Sequence, residues 1–178
     1  MRYAALLRGV NVGGNKKVGM AELRDLAATI GLDHPRTLLQ SGNLIFESRI
    51  TGKQLESILE TETQKRFGLD TRYILRTKDE WHSAVDANPF RDEARRDPSR
   101  VVVVFLREEP APKSVKALQA AIVGRETVRA VGNQAYLVYP DGQGTSKVTL
   151  SVIEKALGTN GTGRNWNTVM KINALLTG

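Results

Sequence analysis

Three short stretches carry the residue types that could do chemistry. The first is Arg8-Gly9-Val10-Asn11-Val12-Gly13-Gly14-Asn15-Lys16-Lys17, which leaves an apolar run, turns through glycines and ends on two lysines. Backbone N–H groups at such a loop, just before a helix, suit an anion. The second, Ser41-Gly42-Asn43, places a hydroxyl and an amide at a turn. The third, Arg164-Asn165-Trp166-Asn167, sets a guanidinium beside amides and an indole, a combination suited to a phosphate, a carboxylate or a base. Lys147, beyond the turn Pro140-Asp141-Gly142, is a further cation.

Known phosphate fingerprints do not fit the first stretch. A P-loop needs its lysine one position earlier and a Ser or Thr after it to hold magnesium. The G-x-G-x-x-G spacing of a dinucleotide loop is also absent. Three readings of the loop therefore stand: glycines serving backbone geometry at positive φ, anion binding, and catalysis. Ser41 has no base beside it in the sequence. The chain holds no cysteine and two histidines, His34 before Pro35 and His82 with Asp79 and Asp86 in reach. Thiolate chemistry, disulfides and cysteine zinc sites are excluded, and isolated histidines make a poor transition-metal site. No paired-carboxylate motif stands out for magnesium. The expectation is no metal and no cofactor.

The elements that must position these stretches follow from periodicity. Residues 2–8 read as a buried strand and 9–18 as the loop. Met20, Leu23, Leu26, Ala27 and Ile30 recur at helical spacing, ended by Gly31. Residues 37–40 and 44–46 flank Ser41-Gly42-Asn43 as a hairpin. Thr51 with Gln54 reads as a capping box for a helix stopped at Phe67-Gly68. Residues 71–76 form a strand, and Thr77 with Glu80 caps a short helix closing at Asn88-Pro89. Residues 91–100 are dense in charge of both signs and broken by Pro98. Val101 to Leu106 is a β-branched central strand. A helix from Pro112, a hairpin turning at Gly132-Asn133, a helix from about Ser146 to Gly158 and a last helix capped by Asn165 complete the chain.

Each half thus reads strand, helix, hairpin, helix. Gly42-Asn43 matches Gly132-Asn133, and at the same offset Phe46 matches Tyr136. The second half exchanges the final strand for a helix. The expected class is α+β, with duplicated ferredoxin-like (β-α-β-β-α) halves, a mostly antiparallel sheet and helices on one face. The expected divisions are 1–76 for the first half, 77–100 for a helix and charged connection, and 101–178 for the second half with an extra C-terminal helix. In a β-α-β-β-α-β unit, strand three lies between strands one and two. The end of strand one, the hairpin turn and the loop at Gly68-Leu69-Asp70 should then share one edge.

Arg8-Gly9-Val10-Asn11-Val12-Gly13-Gly14, Gln40-Ser41-Gly42-Asn43 and Arg164-Asn165-Trp166-Asn167-Thr168, in this order, resemble the bacterial family of uncharacterised proteins DUF1697. The similarity covers nearly the whole chain. It implies an α+β protein with a duplicated ferredoxin-like arrangement and carries no established reaction. Two positions depart from the pattern: Leu38 stands where an aromatic residue is typical, and Gly163 where a threonine is. The second bears on the approach to Arg164.

The chain is basic, with 26 Lys and Arg against 19 Asp and Glu and a net charge of +7 spread over both halves. Such a field attracts anions. No apolar run approaches the roughly 18 residues of a membrane span, and the short apolar stretch ended by Arg8 reads as a strand and not a signal peptide. A cytoplasmic setting is expected. The leading expectation is a protein that binds an anionic small molecule, phosphate- or nucleotide-bearing. Arg8, Lys16 and Lys17 would supply charge, the backbone of Gly13 and Gly14 donors, and Asn11, Asn15, Ser41 and Asn43 orientation, joined by Arg164, Asn165 and Trp166. One alternative is an enzyme without metal or thiol, using Arg164 or Lys147 on an anionic substrate. Nucleic-acid binding through Tyr3 and Phe46 is weakly supported for want of an aromatic-basic strand pattern. A protein-interaction module using a strand edge completes the alternatives; oligomeric state is left open.

Overall fold

A computed structural model describes residues 1–9 and 17–178. The chain forms two compact units, one of Met1–His82 with Ile172–Gly178 and one of Ser83–Lys171. The first runs β1 (Arg2–Leu7), α1 (Met20–Thr29), β2 (Asp33–Leu38), β3 (Asn43–Glu47), α2 (Gly52–Phe67), β4 (Tyr73–Thr77) and the start of α3 (Lys78–Asp86). The sheet order is β2-β3-β1-β4, with every pair antiparallel. Strand three therefore separates strands one and two, as the β-α-β-β-α-β order requires. Gly9 and Lys17 bound the expected glycine stretch, and Val10 to Lys16 lie outside the described residues.

One face of this sheet carries Tyr3, Ala5, Leu7, Leu44, Phe46, Tyr73 and Leu75, clustered with Leu23, Leu26 and Ala27 of α1 and Leu55 and Leu59 of α2. Ala4, Leu6, Ile45 and Ile74, alternating with that set, are equally buried. Both faces are thus withdrawn from water, which explains why β1 reads as an unbroken apolar run. The last turns of α7 (Trp166–Thr177) belong to this unit, where Arg2 Nη1 donates to the Leu176 carbonyl at 3.0 Å.

The second unit repeats the plan. It contains α4 (Arg91–Arg96), a single 3-10 turn at Pro98–Arg100, β5 (Val101–Leu106), α5 (Pro112–Ala121), β6 (Thr127–Val131), β7 (Gln134–Val138), α6 (Leu150–Leu157) and β8 (Gly161–Asn165). Its order is β6-β7-β5-β8, again antiparallel throughout. All six residues of the central β5 are buried. The charged stretch 91–100 is partly helical and breaks at Asp97, ahead of Pro98.

Two sequence expectations are corrected. The second half keeps its final strand: β8 pairs with β5 from Val102↔Asn165 to Leu106↔Gly161. Its helix-side positions are glycines because neighbouring side chains already fill that space. A Cβ on Gly161 would stand 2.9 Å from Leu106 Cδ2 and 3.0 Å from the Phe105 carbonyl oxygen. The repeat is also out by one residue. Tyr3 faces Phe46, and the matching helix-side pair is Val102 facing Leu137, not Tyr136. A one-residue slip moves a side chain to the opposite face, and Tyr136 indeed points away from the α5–α6 cluster, its hydroxyl donating to the Ala84 carbonyl at 2.5 Å.

Capping divides the expected helix starts. Thr77 and Glu80 form a reciprocal box, with bonds of 2.7 and 3.2 Å, and Asn165 Oδ1 accepts from the Thr168 amide at 3.0 Å. Thr51 precedes α2 without a side-chain cap bond.

Candidate functional site

Corrected by one residue, the repeat aligns polar groups that the sequence left unmatched. Asn43 and Gln134 both open the third strand of their units, opposite Leu6 and Phe105, and both are buried. Arg76 and Arg164 both stand one residue before a helix cap, opposite Ala4 and Val103, and both are buried. Arg76 Nη1 donates to the Leu75 carbonyl at 2.8 Å. Arg164 Nη1 donates to Thr162 Oγ1 at 2.7 Å and to the Gly163 carbonyl at 2.9 Å. Burial pushes the Arg164 pKa down to about 10, so the group is still a cation at neutral pH. Arg76 escaped the sequence reading because an arginine ending an apolar strand looks like an edge residue. The signal that finds it is its repeat: an arginine just ahead of the cap in each half.

The expected edge forms at the end of β1. The Leu7 amide donates to the Gly42 carbonyl at 2.9 Å, inside the β2–β3 turn. The Arg8 amide donates to the Arg72 carbonyl at 3.0 Å, and Thr71 Oγ1 donates to the Arg8 carbonyl at 2.8 Å. Arg8 is thus clamped between the hairpin and the α2–β4 connection, three segments distant in the chain. Ser41 and Asn43 lie on the same edge. Asn43 is fully buried, and its Nδ2 donates to the Leu38 carbonyl at 2.8 Å and to Ser41 Oγ at 3.0 Å. Those bonds close the turn, whose Leu39 and Gly42 both take positive φ. The amide group expected to orient a ligand is therefore committed to the fold.

Charge at this edge is mixed. Arg72 Nη1 lies 3.2 Å from Asp70 Oδ1 and 3.8 Å from Glu60 Oε2. Glu60 Oε1 also accepts from the Tyr73 amide at 3.1 Å. Lys17 is exposed ahead of α1. That helix starts at Gly19 with no side-chain cap, and a Cβ built on Gly19 would stand 2.8 Å from Glu22 Oε2. A carboxylate of the first turn folds back over the helix start, where the helix dipole favours negative charge. Asn11, Gly13, Gly14, Asn15 and Lys16 lie outside the described residues.

The third stretch belongs to the other unit. Asn165 caps α7 and Trp166 is half-buried beside a hollow at the end of α3. Lys147 is exposed and borders a largely apolar hollow of about 350 Å³ with Val148 and Glu126. Ser146 Oγ holds Glu126 at 2.6 Å, which lowers the Glu126 pKa. His82 faces Thr177 Oγ1 at 3.1 Å. His34, expected in a loop, sits at a bulge of β2 with a φ of 51°. It borders a hollow of about 240 Å³ with Arg2, Arg36 and Glu47. There the Arg2 side chain bonds Glu47 at 2.9 Å and holds its carboxyl below the usual range. Among the described residues no cluster of His, Cys, Asp or Glu could hold a metal ion. Nor is any helix among them long and apolar enough to cross a membrane. Tyr3 and Phe46 stack on each other at 5.7 Å inside the core and offer no platform for bases.

The duplicated antiparallel sheets, each flanked by two helices, define an α+β protein built twice from one β-α-β-β-α-β plan. The family model described as "Protein of unknown function (DUF1697)" matches residues 1–136, and the chain belongs to that family. The match includes the first two stretches and ends before Arg164. Among solved structures the chain is similar to the conserved bacterial protein SP0830 from Streptococcus pneumoniae, at 28% identity and a TM-score of 0.79, with 98% of each chain covered. No curated protein matches it.

Proposed function

We propose that this protein binds an anionic small ligand, phosphate- or nucleotide-bearing, at the sheet edge where β1 ends. The observation that supports this best is the clamp on Arg8. Its backbone is fixed by Arg72 and Thr71 while Leu7 is fixed by Gly42. Arg8 is thus anchored at one end of the glycine stretch, and at the other Lys17 stands exposed just ahead of the uncapped start of α1. Arg72 is balanced by Asp70 and Glu60, so the cationic groups of the proposal are Arg8, Lys16 and Lys17. Ser41 stays in it as a polar group of the rim, and Asn43 supports the turn. Glu22 gives way to the incoming anion at the start of α1. A cytoplasmic location is part of the proposal, and the cysteine-free sequence is compatible with it.

A thermal-shift screen against anionic metabolites tests the reading. A ligand at about 100 times its Kd stabilises by roughly 2.7 kcal/mol. The shift should vanish in Lys16→Ala with Lys17→Ala. A hit whose affinity is the same in that double variant would place the site elsewhere.

A further inference from the structure

Lys147 is a cation that the β1 edge does not use. It stands exposed in the stretch that leads into α6, and no ion pair or side-chain hydrogen bond engages it among the described residues. The charges around it are already committed. Glu126 accepts from Ser146 Oγ at 2.6 Å, and Arg125 pairs with Asp141.

Lys147 borders a hollow of about 350 Å³ that lies wholly within the second unit. Its floor is Leu118 of α5 and Val148, only 1% and 6% exposed. Helix α5 ends at Ala121, and Ile122 turns the chain out of it with a ψ of 117°. Ile122 and Val123 then form one rim and Val152 of α6 another. Val123 is 92% exposed and Val152 43%. A single exposed valine needs no explanation, but two at one hollow with an apolar floor make a continuous apolar surface, and such surfaces mark binding sites. The volume lies in the roughly 300–1,000 Å³ range of small-molecule sites. A phosphate or nucleotide would strand its polar surface on valine and leucine. A neutral apolar guest would leave the ammonium without a partner. A chain of carbon ended by one carboxylate matches both the floor and the rim.

We propose that this hollow between α5 and α6 binds a small aliphatic carboxylate. The chain covers Leu118, Val148 and Val152, and the head group meets Lys147 Nζ. Glu126, at the same mouth, disfavours a head with more than one negative charge. The site is independent of the β1 edge and stands or falls separately from it.

Octanoate below its micelle concentration is the probe. Octylammonium, with the same chain and the opposite head, and acetate, the head without the chain, are the comparisons. The readouts are the methyl resonances of Leu118, Val123, Val148 and Val152, with exposed Leu39 and Met170 as controls for adsorption on apolar surface at large. The expected result is a saturable shift at the four hollow residues with octanoate, weaker binding of octylammonium and no binding of acetate. Lys147→Gln keeps the stem and removes the charge, so octanoate should bind about three- to fivefold more weakly, as for a solvent-screened ion pair, and octylammonium no more weakly than before. Val152→Thr, nearly the same shape at a partly exposed position, should weaken both. No saturable shift at the hollow, equal shifts at Leu39 and Met170, or a preference for octanoate that survives Lys147→Gln would each overturn the proposal.

Discussion

Replacing Asn43 by alanine separates a fold role from a ligand role. The side chain is fully buried, and its Nδ2 makes bonds of 2.8 and 3.0 Å to the Leu38 carbonyl and Ser41 Oγ. Each such bond contributes about 1 kcal/mol net, and the hollow left by the lost amide adds to the loss. Leu38 and Ser41 are only partly covered, so water re-solvates their orphaned oxygens and limits the penalty. A destabilisation of about 2–3 kcal/mol follows, which lowers Tm by about 5–10 °C in a chain of this size. Urea unfolding followed by circular dichroism measures it. Gln134→Ala, at the equivalent position, where Nε2 donates to Asn133 Oδ1 at 2.8 Å, is the matching variant in the second unit. An Asn43→Ala protein within about 0.5 kcal/mol of the parent would refute the reasoning and return Asn43 to the surface role.

Two further outcomes follow from packing and burial. Gly161→Ala forces a Cβ to 3.0 Å from the Phe105 carbonyl oxygen and 2.9 Å from Leu106, so it should destabilise by about 1–3 kcal/mol; Gly163→Ala meets side chains alone, Val102 Cγ1 at 3.2 Å and Val104 Cγ2 at 3.8 Å, and should cost less. Equal unfolding midpoints for the two variants would contradict this. Burial, opposed by the Thr63 bond, pushes Tyr73 up to about 12, against about 10 in the unfolded chain. The folded pKa is the higher one, so the stabilisation is full below about pH 10 and lost as pH rises towards about 12, by roughly 3 kcal/mol at most. Tyr139, also pushed up to about 12 by burial, moves the same way. Tyr73→Phe should therefore flatten the alkaline loss in part; an unchanged slope in urea titrations would rule this out.

The shared edge of β1 and the hairpin was legible because topology alone forces it. Once β-α-β-β-α-β is assigned, strand three must lie between strands one and two, and Arg8 must leave the sheet beside Ser41. Side-chain commitments were not legible. Asn43 reads as an exposed turn residue, and only the register opposite Leu6 shows that it is buried. β8 was missed because strand patterns rest on β-branched and aromatic residues, whereas Gly161 and Gly163 are small to make room for Val102, Val104 and Leu106. The off-by-one repeat arose from aligning turns: the first hairpin turns through residues 39–42, while the second turns at Gly132 and Asn133 alone.

Amide resonances followed during titration with inorganic phosphate and a set of nucleoside mono- and diphosphates test the central claim most directly. Binding at the β1 edge should perturb Arg8, Lys17 to Glu22 and Ser41, with the same residues unmoved in Lys16→Ala with Lys17→Ala. Perturbations that bypass these residues, or no saturable change with any of these anions, would contradict it.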